Sequence, residues 1–276
     1  MKALRVTAQP DGTLQTRPLP LPSAQRRGIT APDAYRRLAA GEIPKQSFSP
    51  QWANALCTIV LSDGKFKGLA SGPGALLTFV IAGEVILMAG SSQSDRLEPG
   101  DLFLTDEKSA SQITLDIRNH GRLLQFGVAP DWPDPTAEVQ PPGTIKPRQG
   151  SLPKLKRVLN GEDDKAYFTE FSELFSAAPD QWSTPRPLTG FRMVYWEDGE
   201  MDWHPSVVNQ FGIVSSGELQ VDVGGRGGAR EAFYAGDICL SEDRTGQGHI
   251  GRAVGGVHVT NLIIDTEHLW PHHSDK

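Results

Sequence analysis

His204, Gln210 and His249 are the residues whose types and spacing could do chemistry. His204 and Gln210 are six positions apart, so in an unbroken strand their side chains share one face, and a paired strand could bring His249 beside them. Two imidazoles, with water filling the remaining positions, could hold one divalent iron, manganese, nickel or zinc ion. Gln210 is a neutral ligand, weaker than a carboxylate, so the candidate metal set His204, Gln210 and His249 implies modest affinity. The alternative is that both histidines satisfy hydrogen bonds at a polar end of a folded domain. Around them Tyr195, Trp203, Asn209, Gln210 and Phe211 offer the aromatic walls and amides expected of a small-molecule pocket.

The elements that must position these residues read as short strands. Leu56–Leu61, the turn Ser62-Asp63-Gly64, then Leu76–Leu87, Leu97–Leu104 and Ile113–Val128 are apolar runs bounded by turn residues. Gly190–Trp196 alternates in the same way and is followed by the Asp198-Gly199 turn, the His204 segment, Gln210–Val223 and a final strand over Val257–Ile264. Gly224–Gly228 is glycine-rich but joins two strands and opens no helix, which makes it a turn and not a phosphate loop. Tyr167–Phe175 fits either a short amphipathic helix with Phe168, Phe171 and Phe175 on one stripe or part of a strand. Thr30 as N-cap and Gly41 as stop predict one short helix over Ala31–Ala40.

These strands occur twice. Gly83-Glu84 aligns with Gly217-Glu218 at an offset of 134, and Gly100-Asp101 with Gly236-Asp237 at an offset of 136, two residues of hairpin accounting for the difference. The second offset lays Leu104–Glu107 over Leu240–Asp243 and Leu123–Phe126 over Val259–Leu262, apolar positions in phase. A period this long means two domains and not a solenoid. His204, Gln210 and His249 then correspond to Ala70, Leu76 and Ile113, so any reactive centre belongs to the second copy. His258 overlies Arg122, which predicts an outward, surface position.

The organisation that follows is an arm over residues 1–50 packing on the first domain, a degenerate first domain over 51–130, a Pro-rich connector over 131–160, a second domain over 161–267 and a tail over 268–276. Tail histidines His268, His272 and His273 carry no expected function, because a frayed segment cannot fix a coordination geometry.

The chain has 276 residues, with 29 Gly and 21 Pro, which suits many strands joined by tight turns and predicts an all-β fold. A formal charge of −6 without a Lys/Arg run gives no field for phosphates, so nucleic acid is not an expected partner. No apolar run has signal-peptide or membrane-spanning length, and two cysteines, Cys57 and Cys239, form no disulfide framework; a soluble cytoplasmic protein with no membrane partner is expected.

At Trp203-His204-Pro205, Gln210-Phe211, Ser216-Gly217-Glu218, Gly236-Asp237 and Glu242-Asp243-Arg-Thr-Gly-Gln-Gly-His249 the sequence resembles the cupin superfamily, and the internal repeat extends the resemblance to a bicupin. The resemblance implies two tandem jelly-roll barrels with short peripheral helices, and a metal held by His-x-His, a Glu and a third His. Here His204 matches the first ligand, Ser206 replaces the second His, Gln210 stands for the Glu and Cys239 for the last His. The position of Cys239 normally points into the barrel, which makes it a candidate ligand contact or a thiol nucleophile needing His249 or Arg252 to lower its pKa; a small buried residue is the plainer reading. Glu242 and Asp243 are adjacent and face opposite ways, and are expected to order Thr245–Gly248 by capping backbone amides.

Two functions therefore compete. One is a metal-dependent enzyme of dioxygenase, isomerase or decarboxylase type acting on a small oxygenated substrate in the second barrel. The other is a metal-free protein that binds or senses a small molecule, with a structural first barrel. Exposed sheet edges leave a homodimer open as well.

Overall fold

The computed structural model describes residues 1–21, 24–26, 53–69, 74–89, 93–129, 132–133, 152–175, 178–225 and 227–264. The expected helix over 31–40 and the tail histidines lie outside these residues. Two jelly-roll barrels follow one another along the chain. The first sheet comprises β1 (Ala3–Ala8), β2 (Leu14–Pro18), β4 (Ala53–Val60), β5 (Gly64–Lys67), β6 (Ala75–Ala89), β7 (Gln93–Leu97), β8 (Leu102–Thr105) and β9 (Thr114–Val128). The second comprises β3 (Ala24–Arg26), β10 (Leu155–Asn160), β11 (Ala166–Glu170), β12 (Gly190–Trp196), β13 (Gly199–His204), β14 (Asn209–Val223), β15 (Ala229–Phe233), β16 (Ile238–Ser241) and β17 (His249–Ile264). No helix among the described residues is long and apolar enough to cross a membrane.

The repeat read from the glycines is the repeat of the strands. β6 and β14 start 134 residues apart and β8 and β16 start 136 apart, each pair holding the centre of its sheet. Both long strands turn a corner at the equivalent glycines Gly83 (φ +76°) and Gly217 (φ +80°), where the ladder slips register and a Cβ would strike the backbone of Gly121 or Gly256. A strand bent in this way lines two walls of its barrel.

Two segments join sheets that the sequence boundaries separated. β1 and β2, placed in the arm, pair with each other and β1 pairs with β8, while β10, placed in the connector, pairs with β16. A buried aspartate fixes each entry: Asp101 accepts from the Lys2 amide, and Asp237 accepts from the Lys154 amide at 2.8 Å. The barrels also exchange edges. β3 from the N-terminal segment runs parallel to β12, and residues 180–186 hydrogen-bond along β4 through Asp180, Ser183 and Arg186. Tyr167–Phe175 resolves into β11 and a single 3-10 turn at Glu173–Phe175.

One apolar cluster spans both halves, with Phe79 and Phe126 of the first meeting Phe191 and Phe211 of the second; Phe126 and Phe191 rings are 5.1 Å apart, edge to face. His258 lies at this seam, 5% exposed beside the Tyr195 ring at 4.7 Å, which corrects its expected surface position. The alignment with Arg122 misled because that side chain is itself half-buried, its guanidinium over the Phe175 ring. Inside, the barrels differ. The first is filled by Val80, Leu87, Phe103, Ile113, Leu115 and neighbours, whereas the second keeps a cavity.

Candidate functional site

The second barrel holds a cavity of about 80 Å3, open at its mouth. Strand alternation decides what reaches it. On β12, Arg192, Val194 and Trp196 face inward, and on β17 the inward set includes His249, Gly251, Val259 and Asn261. β13 contributes Met201 and His204, the β13–β14 loop Ser206 and Val207, β14 contributes Gln210, Gly212, Leu219 and Val221, and β16 contributes Cys239 and Ser241.

His204 and His249 are cross-strand partners, their ring centroids 4.6 Å apart. Gly248 makes this approach available: its φ is +71°, and a Cβ there would land on the carbonyl of His204. Nδ1 of His204 lies 2.6 Å from the carbonyl oxygen of Asp202, which can only accept, so Nδ1 carries the proton. Nδ1 of His249 lies 2.6 Å from Oδ2 of Asp243, a residue with no exposed surface. The Ser206 hydroxyl donates to Oδ1 of the same carboxylate at 2.9 Å, and the Ser206 amide donates to the Asp243 carbonyl. Ser206, Asp243 and His249 therefore form one chain, with Nδ1 of His249 as the donor and Nε2 as its acceptor nitrogen.

The expected amide capping by Glu242 and Asp243 is corrected. Their opposite directions are used by side chains instead: Asp243 holds His249 and Ser206, and Glu242 forms a buried ion pair with Arg157 of β10. The equivalent segment in the first barrel went another way. Asp106 caps α1 (Glu107–Gln112) through Ser109, and Ile113, at the position of His249, is fully buried in apolar surroundings.

At the other polar wall, Arg192 Nη2 donates to Gln210 Oε1 at 2.7 Å, and Arg192 pairs in register with Asn261. Among the lining residues there is one guanidinium and no carboxylate.

Of the residues singled out by sequence, His204, Gln210, Cys239 and His249 line the cavity. Tyr195, Trp203, Asn209 and Phe211 do not, which is a correction: Tyr195, Asn209 and Phe211 each neighbour a lining residue and face the opposite side of their strand, while the register shift between Met201 and His204 leaves Trp203 on the exposed side. Tyr195 stacks on His258, Phe211 on Phe171 in the seam core, Asn209 is buried elsewhere, and Trp203 packs over Gly224. Arg192, Ser206, Ser241 and Asn261 were missed; the parity of Arg192 with Val194 and Trp196 was the signal available for it.

Cys239 is no nucleophile in this setting. Burial, aided by the Asp243 carboxylate, pushes its thiol up to about 12, and Arg252 is engaged with Glu200 and Asp222. The metal reading meets a similar obstacle. Among the described residues no group of three His, Cys, Asp or Glu is placed to hold an ion. The third donor, the Gln210 carbonyl oxygen, is taken by a guanidinium that shares the cavity. Two imidazoles without a third donor, beside a fixed positive charge, do not fit a divalent cation.

No family model matches the chain, and no curated protein matches it. Its structural neighbours are cupin-domain proteins. A cupin 2 conserved barrel domain protein from Leptotrichia buccalis is 11% identical over 79% of this chain and 86% of its own, with a TM-score of 0.38. A Pseudomonas syringae protein of unknown function in the DUF861 family is 13% identical over 96% of this chain and 100% of its own, with a TM-score of 0.36. Bacillus subtilis oxalate decarboxylase, described with Mn(II) centres, is 16% identical over 81% of this chain and 71% of its own, with a TM-score of 0.28. With scores this low, none of these likenesses carries an argument about the site. The strand order of the chain itself defines its class: a duplicated jelly-roll protein, with a solid barrel and a hollow one.

Proposed function

We propose that the C-terminal barrel binds a compact organic acid without a metal ion, and that the N-terminal barrel is its structural partner. The observation that carries this reading is the charge of the cavity wall: one guanidinium and no carboxylate among its lining residues, in a chain of formal charge −6. A half-buried guanidinium that already faces an amide oxygen has the forked geometry that matches a carboxylate best. Val194, Trp196, Met201, Val221 and Val259 supply apolar surface for the rest of the ligand. Such a site would serve binding or sensing directly.

The test is thermal melting of metal-free protein with monocarboxylic acids from acetate to phenylacetate. Stabilisation that rises with concentration and disappears in Arg192→Ala supports the reading. Loss of one charge-assisted hydrogen-bond pair corresponds to roughly 10- to 100-fold weaker binding. Equal stabilisation of wild type and variant, or none with any acid, overturns it.

A further inference from the structure

Simple binding of an acid leaves the Ser206–Asp243–His249 chain without a purpose. Arg192 and the amides of Gln210 and Asn261 could hold a carboxylate, and His249 could satisfy its hydrogen bonds without a dedicated carboxylate behind it. Instead Asp243, fully buried and outside the cavity lining, spends both oxygens on His249 and Ser206. The arrangement fixes the tautomer and the ring plane, directing the proton to Nδ1 and the lone pair to Nε2. Gly248 brings the backbone before His249 close against that of His204, and the Asp243 hydrogen bond holds the imidazole at the cavity wall.

We infer that His249 is a general base acting on a 2-oxo acid held in this cavity, an inference that rests on the organic-acid reading of the same site. A 2-oxo acid presents a carboxylate and an adjacent carbonyl oxygen to one side. Those acceptors match the Arg192 guanidinium together with the amide N–H groups of Gln210, whose own oxygen already faces Arg192. In the step, Nε2 of His249 takes a proton from the carbon beyond the carbonyl. The C–H bond breaks, an N–H bond forms, and the electron pair moves into a C–C double bond as the carbonyl oxygen becomes an enolate. Return of a proton from the imidazolium, to oxygen or to carbon, restores the base. Nothing is oxidised or reduced and no co-reactant is consumed. Arg192 holds the negative charge that moves onto the oxygens. Asp243 and Ser206 are positioning residues, and His249 alone touches the reacting hydrogen.

The experiment measures exchange of the C3 hydrogens of pyruvate, 2-oxobutanoate and phenylpyruvate in D2O by proton NMR, with dissociation constants for the same acids from calorimetry. Wild-type protein is expected to exceed the buffer rate for at least one acid. His249→Ala should lower that excess by about 10²- to 10⁴-fold while keeping the dissociation constant within a few-fold. Added imidazole should restore part of the exchange in His249→Ala, a rescue that a purely structural role would not give. Asp243→Asn, which keeps the size of the side chain, should slow exchange without weakening binding. Acids that bind without enhanced exchange, or exchange unchanged in His249→Ala, overturn the inference and leave the organic-acid reading standing. Failure of every acid to bind overturns that reading and this inference together. Melting curves of each variant identify a loss caused by unfolding, and Asp243→Asn then decides in place of an unfolded His249→Ala.

Discussion

Replacing Gly248 with alanine tests whether the His204–His249 approach is built by that one residue. Two costs add. At φ +71° an alanine sits in the left-handed region, which costs roughly 1–2 kcal/mol. Its Cβ would also lie closer than 3.0 Å to the carbonyl of His204 and to Pro205 N, all backbone atoms, so β13 must move back from β17. Overpacking of this kind costs about 1–3 kcal/mol. Gly227 supplies the control, since its φ is +86° and a Cβ there meets nothing within 4 Å. Gly227→Ala should carry the first cost alone. Urea unfolding of the two variants and wild type should therefore place Gly248→Ala about 1–3 kcal/mol below Gly227→Ala. Acid binding should survive in Gly227→Ala and weaken in Gly248→Ala, because the wall carrying His204 is displaced. Equal destabilisation of the two variants, with binding intact in both, would refute the reasoning.

Asp243→Ala strands the His249 Nδ1–H and the Ser206 hydroxyl, two polar groups at about 1–3 kcal/mol each, whereas Asp243→Asn should cost much less; denaturant midpoints that coincide for the two contradict the hydrogen-bond chain. Cys239 should resist iodoacetamide at pH 8 in folded protein and react in urea, because burial raises its thiol pKa to about 12; peptide mapping that finds it modified as fast as when unfolded contradicts this. The same raised pKa sets a sign: the stability linked to the Cys239 thiol is complete below its ordinary value of 9.0 and is lost as pH climbs towards 12, so Cys239→Ala should flatten the alkaline fall in melting temperature. At the seam, Gly236→Ala combines φ +87° with a Cβ pressed on the Ile81 carbonyl, and should destabilise well beyond Gly227→Ala in the same urea series.

Much of the fold was legible because its constraints are local. Gly83, Gly100, Gly217 and Gly236 must be glycine for reasons of φ and close approach, and their spacing reports the duplication directly. The apolar replacement of His249 by Ile113 likewise located the hollow barrel. What stayed hidden depends on pairing between distant segments. The β1–β2 hairpin and β10 look like arm and connector until β8 and β16 accept them, and the exchange of β3 and residues 180–186 leaves no mark in composition. In the site, choosing Tyr195 over Arg192 followed residue type where strand parity decided the facing. Asp243 was read as a loop cap because its partners, Ser206 and His249, come from two other elements.

The central claim, a cavity that selects an organic acid through Arg192 and needs no metal, is tested most directly by calorimetry with phenylpyruvate and its neutral methyl ester, each with and without chelator. The account predicts that the acid binds, that the ester binds at least about 10-fold more weakly, and that chelator changes neither. Binding of the ester as tight as that of the acid, or acid binding abolished by chelator and restored by a divalent ion, would contradict it.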